Sequence, residues 1–348
     1  MSRRAATLAV ASVLVLVLAL VGSLMPVPYV TLMPGPTRNT LAENAKGQAI
    51  ITIDGRRTYP TEGSLNFTTV TYRGGPGGRI DLLTALRGWL DGDTAVVPEE
   101  TIFPEDESPE EVDEQNTRQM TDSQQDAEAA ALHELGVPIS TRVVVDSVQK
   151  GRPADGKLKP EDEITAVNGT AITKVDQVSK VMDGVRPGQT VTLTVRRGGK
   201  ELQQRITTAK GPDGGAVVGV VLAGAYKFPF KIDVNIGDIG GPSAGLIFSL
   251  AIIDKLTPGA LTGGKFIAGT GTITPDGEVG PIGGIEQKMI AARRAGATVF
   301  LTPKDNCAAA VEARPDGLRL VRADTLATAR QALVALTTGK GDVPACPS

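Results

Sequence analysis

The first patterned stretch of the chain is continuous, not periodic. Ala5 to Met25, AATLAVASVLVLVLALVGSLM, carries no charged residue. At 1.5 Å per residue a helix of that length is about 30 Å long, the thickness of a bilayer core. The pattern then shortens. PYVTLMPGPTRNT is proline-rich and predicts an extended tether. GQAIITIDG and GSLNFTTVTYRG alternate apolar and polar positions between glycines, which predicts strands. RIDLLTALRGWL sets Ile80, Leu83, Ala85, Leu86 and Leu90 at helical spacing. PEETIFPEDESPEEVDEQN is acidic and proline-punctuated, and predicts a solvated loop. DSQQDAEAAALHELG predicts a helix with Asp122 or Ser123 as N-cap and Gly136 as stop.

From about Val137 to Thr208 short strands, glycine turns and one helix alternate, a mainly β module. From Ala216 to Leu336 strands and helices alternate. AVVGVVLAG, FKIDVNIG, GKFIAGTGTI, TVFLTP and LRLVRA predict strands. SAGLIFSLAIIDKL, GIEQKMIAARRAG and TLATARQALVAL predict helices, the last capped by Asp324. This is an α/β or α+β domain.

The 348 residues suggest two or three domains. Net charge is −3, so no basic face argues for nucleic acid. The two cysteines, Cys307 and Cys346, form no C-x-x-C and no Cys/His cluster, which argues against a metal site. The apolar N-terminal stretch is longer than a signal peptide's usual core of about 7–15 residues and reads as an uncleaved anchor. Arg3 and Arg4 should then stay cytoplasmic, with everything after Pro28 outside. In that compartment Cys307 and Cys346 are candidates for a disulfide, with two unpaired thiols the alternative.

The candidate chemistry starts at IGGPSAGLIF. Gly241 to Gly245 fits G-x-S-x-G, with Ser243 as its serine. The single histidine, His133, lies far upstream and reads as a surface residue. GALTGGKF has phosphate-loop spacing, but Phe266 stands where a metal-binding hydroxyl belongs and a strand follows, so no nucleotide site is expected. A lysine is the remaining base. With Ile285 at zero and a turn of about 100° per residue, Met289 lies near 40°, Ala292 near 340° and Ala295 near 280°. Lys288 lies near 300°, on that apolar face, while Glu286, Gln287 and Arg294 point elsewhere. A buried lysine loses solvation and its pKa falls, which lets it take a proton from serine. The alternative is a stem on apolar surface with its ammonium in water.

Two resemblances extend this reading. GRPADGKLKPEDEITAVNGTAI resembles the PDZ domains of bacterial periplasmic proteases. It departs from them at Glu161, where glycine is usual; the turn tolerates this if φ there is negative. The resemblance implies a peptide groove between the strand at Val143, Val144 and Val145 and the helix carrying Val178 and Val181. A spacer without a peptide ligand is the alternative. GGPSAG followed by FIAGTGTITPDGEVGPIGGIEQKMIAARRAGATVFLTPKDN resembles the proteolytic domain of Lon proteases. It implies Ser243 as nucleophile, Lys288 as general base and Thr270 as the hydroxyl that positions the lysine. Gly241 and Pro242 shape the loop. Gly240 stands where ATP-dependent Lon proteins carry an acid.

The whole chain resembles membrane-anchored, PDZ-containing Lon-like proteases. That implies a PDZ-like module inserted in a split catalytic region. The expected divisions are 1–28 (tip and anchor), 29–128 (N-terminal catalytic strands, helix and acidic loop), 129–210 (PDZ-like), 211–340 (Lon-type) and 341–348 (tail). The implied activity is ATP-independent cleavage of unfolded or flexible extracytoplasmic proteins, without cofactor. By analogy the chain would form a homo-oligomer, a hexamer as in Lon rings. The alternative is an anchored PDZ adaptor with an inactive protease domain.

Overall fold

The computed structural model describes residues 3–44, 47–104, 107–237 and 239–347. Residues 1–2 of the expected tip, 105–106 of the expected acidic loop and 348 of the tail lie outside them. The helices are α1 (Arg3–Leu24), α2 (Leu82–Leu90), α3 (Pro109–Glu134), α4 (Val175–Met182), α5 (Gly245–Leu256), α6 (Ile285–Arg294), α7 (Cys307–Glu312) and α8 (Leu326–Thr338). The chain forms two compact units. One joins Met1–Val137 to Phe230–Ser348; the other is the insert Pro138–Pro229.

The first unit is built on a six-stranded mixed sheet. Its order is Arg319–Ala323, Val299–Pro303, Phe266–Gly269, Ser64–Arg73, Tyr29–Asn39 and Ala95–Pro98. The first four strands run parallel and the last two antiparallel to their neighbours. Helix α5 is apolar all round and buried along Leu246, Ile247, Phe248, Leu250, Ile252 and Ile253. Such a helix can only be a core element. Each large side chain it buries contributes about 1.5–3 kcal/mol.

Three expectations change here. PYVTLMPGPTRNT is no tether: Tyr29–Asn39 is a strand inside the sheet. Its prolines are tolerated because the pairing register shifts between Pro34 and Thr37, where ladder bonds are interrupted. The acidic stretch is not all loop. Helix α3 begins at Pro109, with Ser108 as N-cap in a reciprocal capping box with Glu111. So neither Asp122 nor Ser123 starts a helix. The last helix, α8, is capped by Thr325 and not Asp324.

The insert is a twisted antiparallel sheet over an aliphatic core. Its strand order is Lys200–Thr207, Thr190–Arg197, Glu163–Val167, Ser140–Val148 and Val220–Lys227. Val143, Val145, Ile164, Val191, Leu193 and Val195 fill it, with α4 packed against it. Asn168 has φ 49°, and Asn168–Gly169 turns the hairpin to Thr170–Ala171. AVVGVVLAG had been expected in the C-terminal domain. Instead Val220–Lys227 pairs along Ser140–Val148 and carries the insert to Pro229. Glu161 has φ 70°, so the condition of a negative φ is not met, and the turn holds a non-glycine residue in the left-handed region.

Candidate active site

Helix α6 delivers Lys288 into the interior. The side chain is only 2% exposed. Desolvation by this burial lowers its pKa from 10.5 to about 7. Gln287, expected to point outward, is 4% exposed as well; both faces of this turn are covered.

Thr270 follows the strand Phe266–Gly269 and is fully buried. Its hydroxyl donates to the Ser243 carbonyl at 2.9 Å. That fixes the direction of its proton, so toward Lys288 it can only accept. The Lys288 Nζ donates to it at 3.3 Å. A neutral amine held this way keeps its lone pair unspent.

Ser243 sits in the turn just before α5. Its carbonyl also accepts from the Gly271 N–H at 2.9 Å. Both glycines of G-x-S-x-G have a steric reason. Gly241 has φ 89°, and a Cβ on Gly245 would meet Ile273 Cγ2 at 2.7 Å. Among the described residues nothing accepts the Ser243 N–H. The Gly241 N–H is taken by the Asn116 carbonyl at 3.1 Å.

That last contact comes from α3, whose part in the site had not been foreseen. Its Ser123 hydroxyl donates to the Pro242 carbonyl at 3.0 Å. A Cβ on Gly240 would lie 2.8 Å from Asn116 Cβ. At Gly240, the position where the resembled Lon proteins carry an acid, this chain presses helix α3 against a bare backbone. The readable signal was Ser108-Pro109-Glu110-Glu111, a capping box with proline at N1.

Ser243 and Lys288 line one cleft of about 1590 Å³. One face of α3 (Asp113, Thr117, Met120, Gln124, Glu128) forms a wall, and Ile232–Asn235 face the cleft too. That face rises about 22 Å, long enough for an extended peptide of about six residues. Glu128 is 8% exposed, and burial, reinforced by the Asp233 charge, pushes it up to about 8. His133 is exposed and does not line the cleft. Residues 259–264 form bends and turns between α5 and a strand, and Lys265 immediately precedes that strand. Cys307 and Cys346 are joined in a disulfide with Cα atoms 5.2 Å apart, tying the C-terminal segment to α7.

In the insert, the expected groove strand is wrong. Val143, Val144 and Val145 are buried at 0%, 6% and 0% exposure. Their strand is paired on both sides, to Glu163–Ile164 and to Leu222–Gly224. The end strand is Val220–Lys227, which packs beside α4. Val178 and Val181 do lie on α4, facing the core with Val218, Val220 and Leu222.

The site thus brings together a loop serine, a buried lysine and a buried threonine bonded to both. Residues 231–328 match the Lon protease (S16) C-terminal proteolytic domain, and residues 115–208 match the PDZ domain. Lon protease 1 of Bacillus subtilis (strain 168) is 31% identical over 157 residues, 43% of this chain and 20% of the relative. The Lon protease of Clostridioides difficile (strain 630) is 43% identical over 79 residues, 23% of this chain and 10% of the relative. This chain therefore spans about a fifth or less of these relatives' length. A crystal structure of the PDZ domain of an SdrC-like protein from Listeria monocytogenes is 27% identical, with a TM-score of 0.23, covering 23% of this chain and 86% of that chain. The chain thus carries a Lon-type proteolytic domain with a PDZ domain in a mixed α/β architecture.

Proposed function

We propose that this chain is a membrane-anchored serine endopeptidase working without ATP through a Ser243–Lys288 dyad. The observation that carries the reading is Lys288: buried, with its pKa lowered to about 7, hydrogen-bonded to Thr270 and lining the cleft with Ser243. As the Ser243 Oγ attacks a peptide carbonyl, the Lys288 amine takes its proton. The ammonium returns that proton to the leaving amine, and an acyl-enzyme remains. Lys288 then takes a proton from the water that hydrolyses it. The Ser243 N–H, at the positive end of α5, stabilises the oxyanion.

Several features favour the rest. Helix α1 is long and apolar enough to cross a membrane. The Cys307–Cys346 disulfide suits an oxidising compartment outside the cytoplasm. The turn at Gly259–Gly264 lacks the helix a phosphate loop needs, which supports ATP independence. Substrates are then flexible or unfolded chains. In the PDZ domain, the groove between Val220–Lys227 and α4 would take an extended peptide end as an added strand. Assembly into a ring, a hexamer by analogy, remains part of the same reading.

The test uses the full chain in detergent micelles without nucleotide. Casein should be cleaved and a fluorophosphonate should label the protein. Ser243→Ala and Lys288→Ala should each lose both. Equal cleavage or labelling by all three overturns the dyad. Peptide binding without turnover would instead favour an anchored adaptor.

A further inference from the structure

Helix α2 has no role in the site, yet its outer face groups three exposed large apolar side chains. Leu86, Trp89 and Leu90 are 42%, 54% and 88% exposed. On a helical wheel they fall within an arc of about 100°, with Arg87 on its flank. A soluble surface rarely groups such residues without a partner.

The position of α2 identifies the partner. Its start is tied to the end of the apolar anchor. The Leu82 N–H donates to the Met25 carbonyl at 3.0 Å, and Pro26–Val27 pairs with Ile80–Asp81. Leu83 packs on Gly22 of α1, where a Cβ would lie 3.3 Å from it. So α2 lies beside the last turn of α1, level with the end of the stretch long enough to span a bilayer. Trp89 meets Tyr29 edge to face at 5.5 Å, placing two interfacial aromatics just past the span. The inner face of α2 is clamped to the sheet: a Cβ on Gly88 would lie 2.7 Å from Val96 Cγ2.

We propose that α2 is a membrane-interface helix. Leu86, Trp89 and Leu90 enter the boundary between lipid headgroups and acyl chains, and Arg87 reaches the phosphates. The proposal rests on the anchoring half of the function proposed above, not on the dyad. Because α2 is clamped to the sheet, the bilayer then sets the height and tilt of the catalytic unit. A lone anchor helix would hold the unit at one point of the membrane; a second contact beside it fixes the tilt as well.

Trp89 is the protein's one tryptophan, which makes the test direct. The full chain is reconstituted in phosphatidylcholine liposomes, and flotation first checks anchoring. Emission is then compared in plain lipid and in lipid brominated near the top of the acyl chain. Bromolipid should quench Trp89 by about half or more, and aqueous iodide should quench it little. Leu90→Asp alters a side chain that packs on almost nothing, so folding survives, and it should weaken bromolipid quenching. Flotation with no bromolipid quenching and strong iodide quenching overturns the proposal while leaving the anchor intact. Shielding from both quenchers, with crosslinked dimers, assigns the face to a second copy and also overturns it. A chain that does not float overturns the anchoring and the proposal together.

Discussion

The two units of this chain treat buried charge in opposite ways. In the insert, Asp162 has a side chain only 1% exposed. Arg197 meets its two oxygens at 2.6 Å each, and the Lys159 N–H donates at 2.9 Å. Burial works to raise its pKa, but these bonds outweigh it and hold the carboxyl below its usual range. In the catalytic unit Lys288 is equally buried but has one neutral partner, Thr270, at 3.3 Å. Glu128 faces the same cleft and is pushed up to about 8. A buried charge with its partners in place stays ionised. A buried charge left short of partners is driven toward neutrality, and a neutral amine in a cleft is a base.

The largest expected effect is at Lys288. Its folded pKa of about 7 lies below its ordinary 10.5. The unfolded chain therefore binds more protons between those values, and the fold gains stability as pH rises through that window. Below pH 7 keeping Lys288 buried costs on the order of 5 kcal/mol. Lys288→Met should abolish casein cleavage, a loss of about a thousandfold or more. It should also slow amide exchange in α6 at pH 6, with the gain shrinking toward pH 10.5. In the unaltered protein kcat/KM should climb with pH through about 7. A Lys288→Met protein no more stable than its parent at pH 6 would mean that Lys288 is as well satisfied as Asp162, and the contrast would collapse.

The second effect has the opposite sign. Asp162→Asn keeps the shape but removes the charge that Arg197 answers. Breaking a buried pair costs about 3–5 kcal/mol, and because the Arg197 side chain is 31% exposed the low end applies, about 3 kcal/mol. Amide exchange in Glu163–Val167 should quicken. The stability the pair contributes is present above the ordinary carboxylate pKa and is lost as pH falls through the lowered folded value, so the variant and its parent should converge in acid.

Much of this was legible in the sequence, unevenly. Strands and helices with clean periodicity, such as Ser64–Arg73 and α6, were readable from spacing alone. The inward turn of Lys288 was readable from a helical wheel, but the same wheel missed Gln287, because neighbours on both sides cover that turn. The strand Tyr29–Asn39 was hidden by its prolines, which a register shift accommodates. Helix α3 was hidden by its acidic first turns, although acids there favour a helix N-terminus and its capping box was in plain view. The groove of the insert was misplaced for a topological reason. Val143–Val145 has the right apolar pattern for an edge, but a strand about 80 residues later covers it, and no local pattern announces such a partner.

The smallest effect probes the same insert through its backbone. Glu161 stands at φ 70°, where a side chain is strained and glycine is not. Its N–H donates to the Val145 carbonyl at 2.9 Å, and it adjoins Asp162, so the turn that holds Asp162 against Arg197 enforces the strain. Glu161→Gly relieves it without touching either bond. Glycine's extra freedom in the unfolded chain offsets part of the gain, leaving about 0.5–1 kcal/mol. Thermal unfolding of the insert should shift upward by about 2–8 °C. In Asp162→Asn the turn has less to hold it, so Glu161→Gly should stabilise that background by a different amount. Strict additivity of the two substitutions would show that the strain at Glu161 and the ion pair beside it are independent, and that the insert's buried charge does not depend on the turn that presents it.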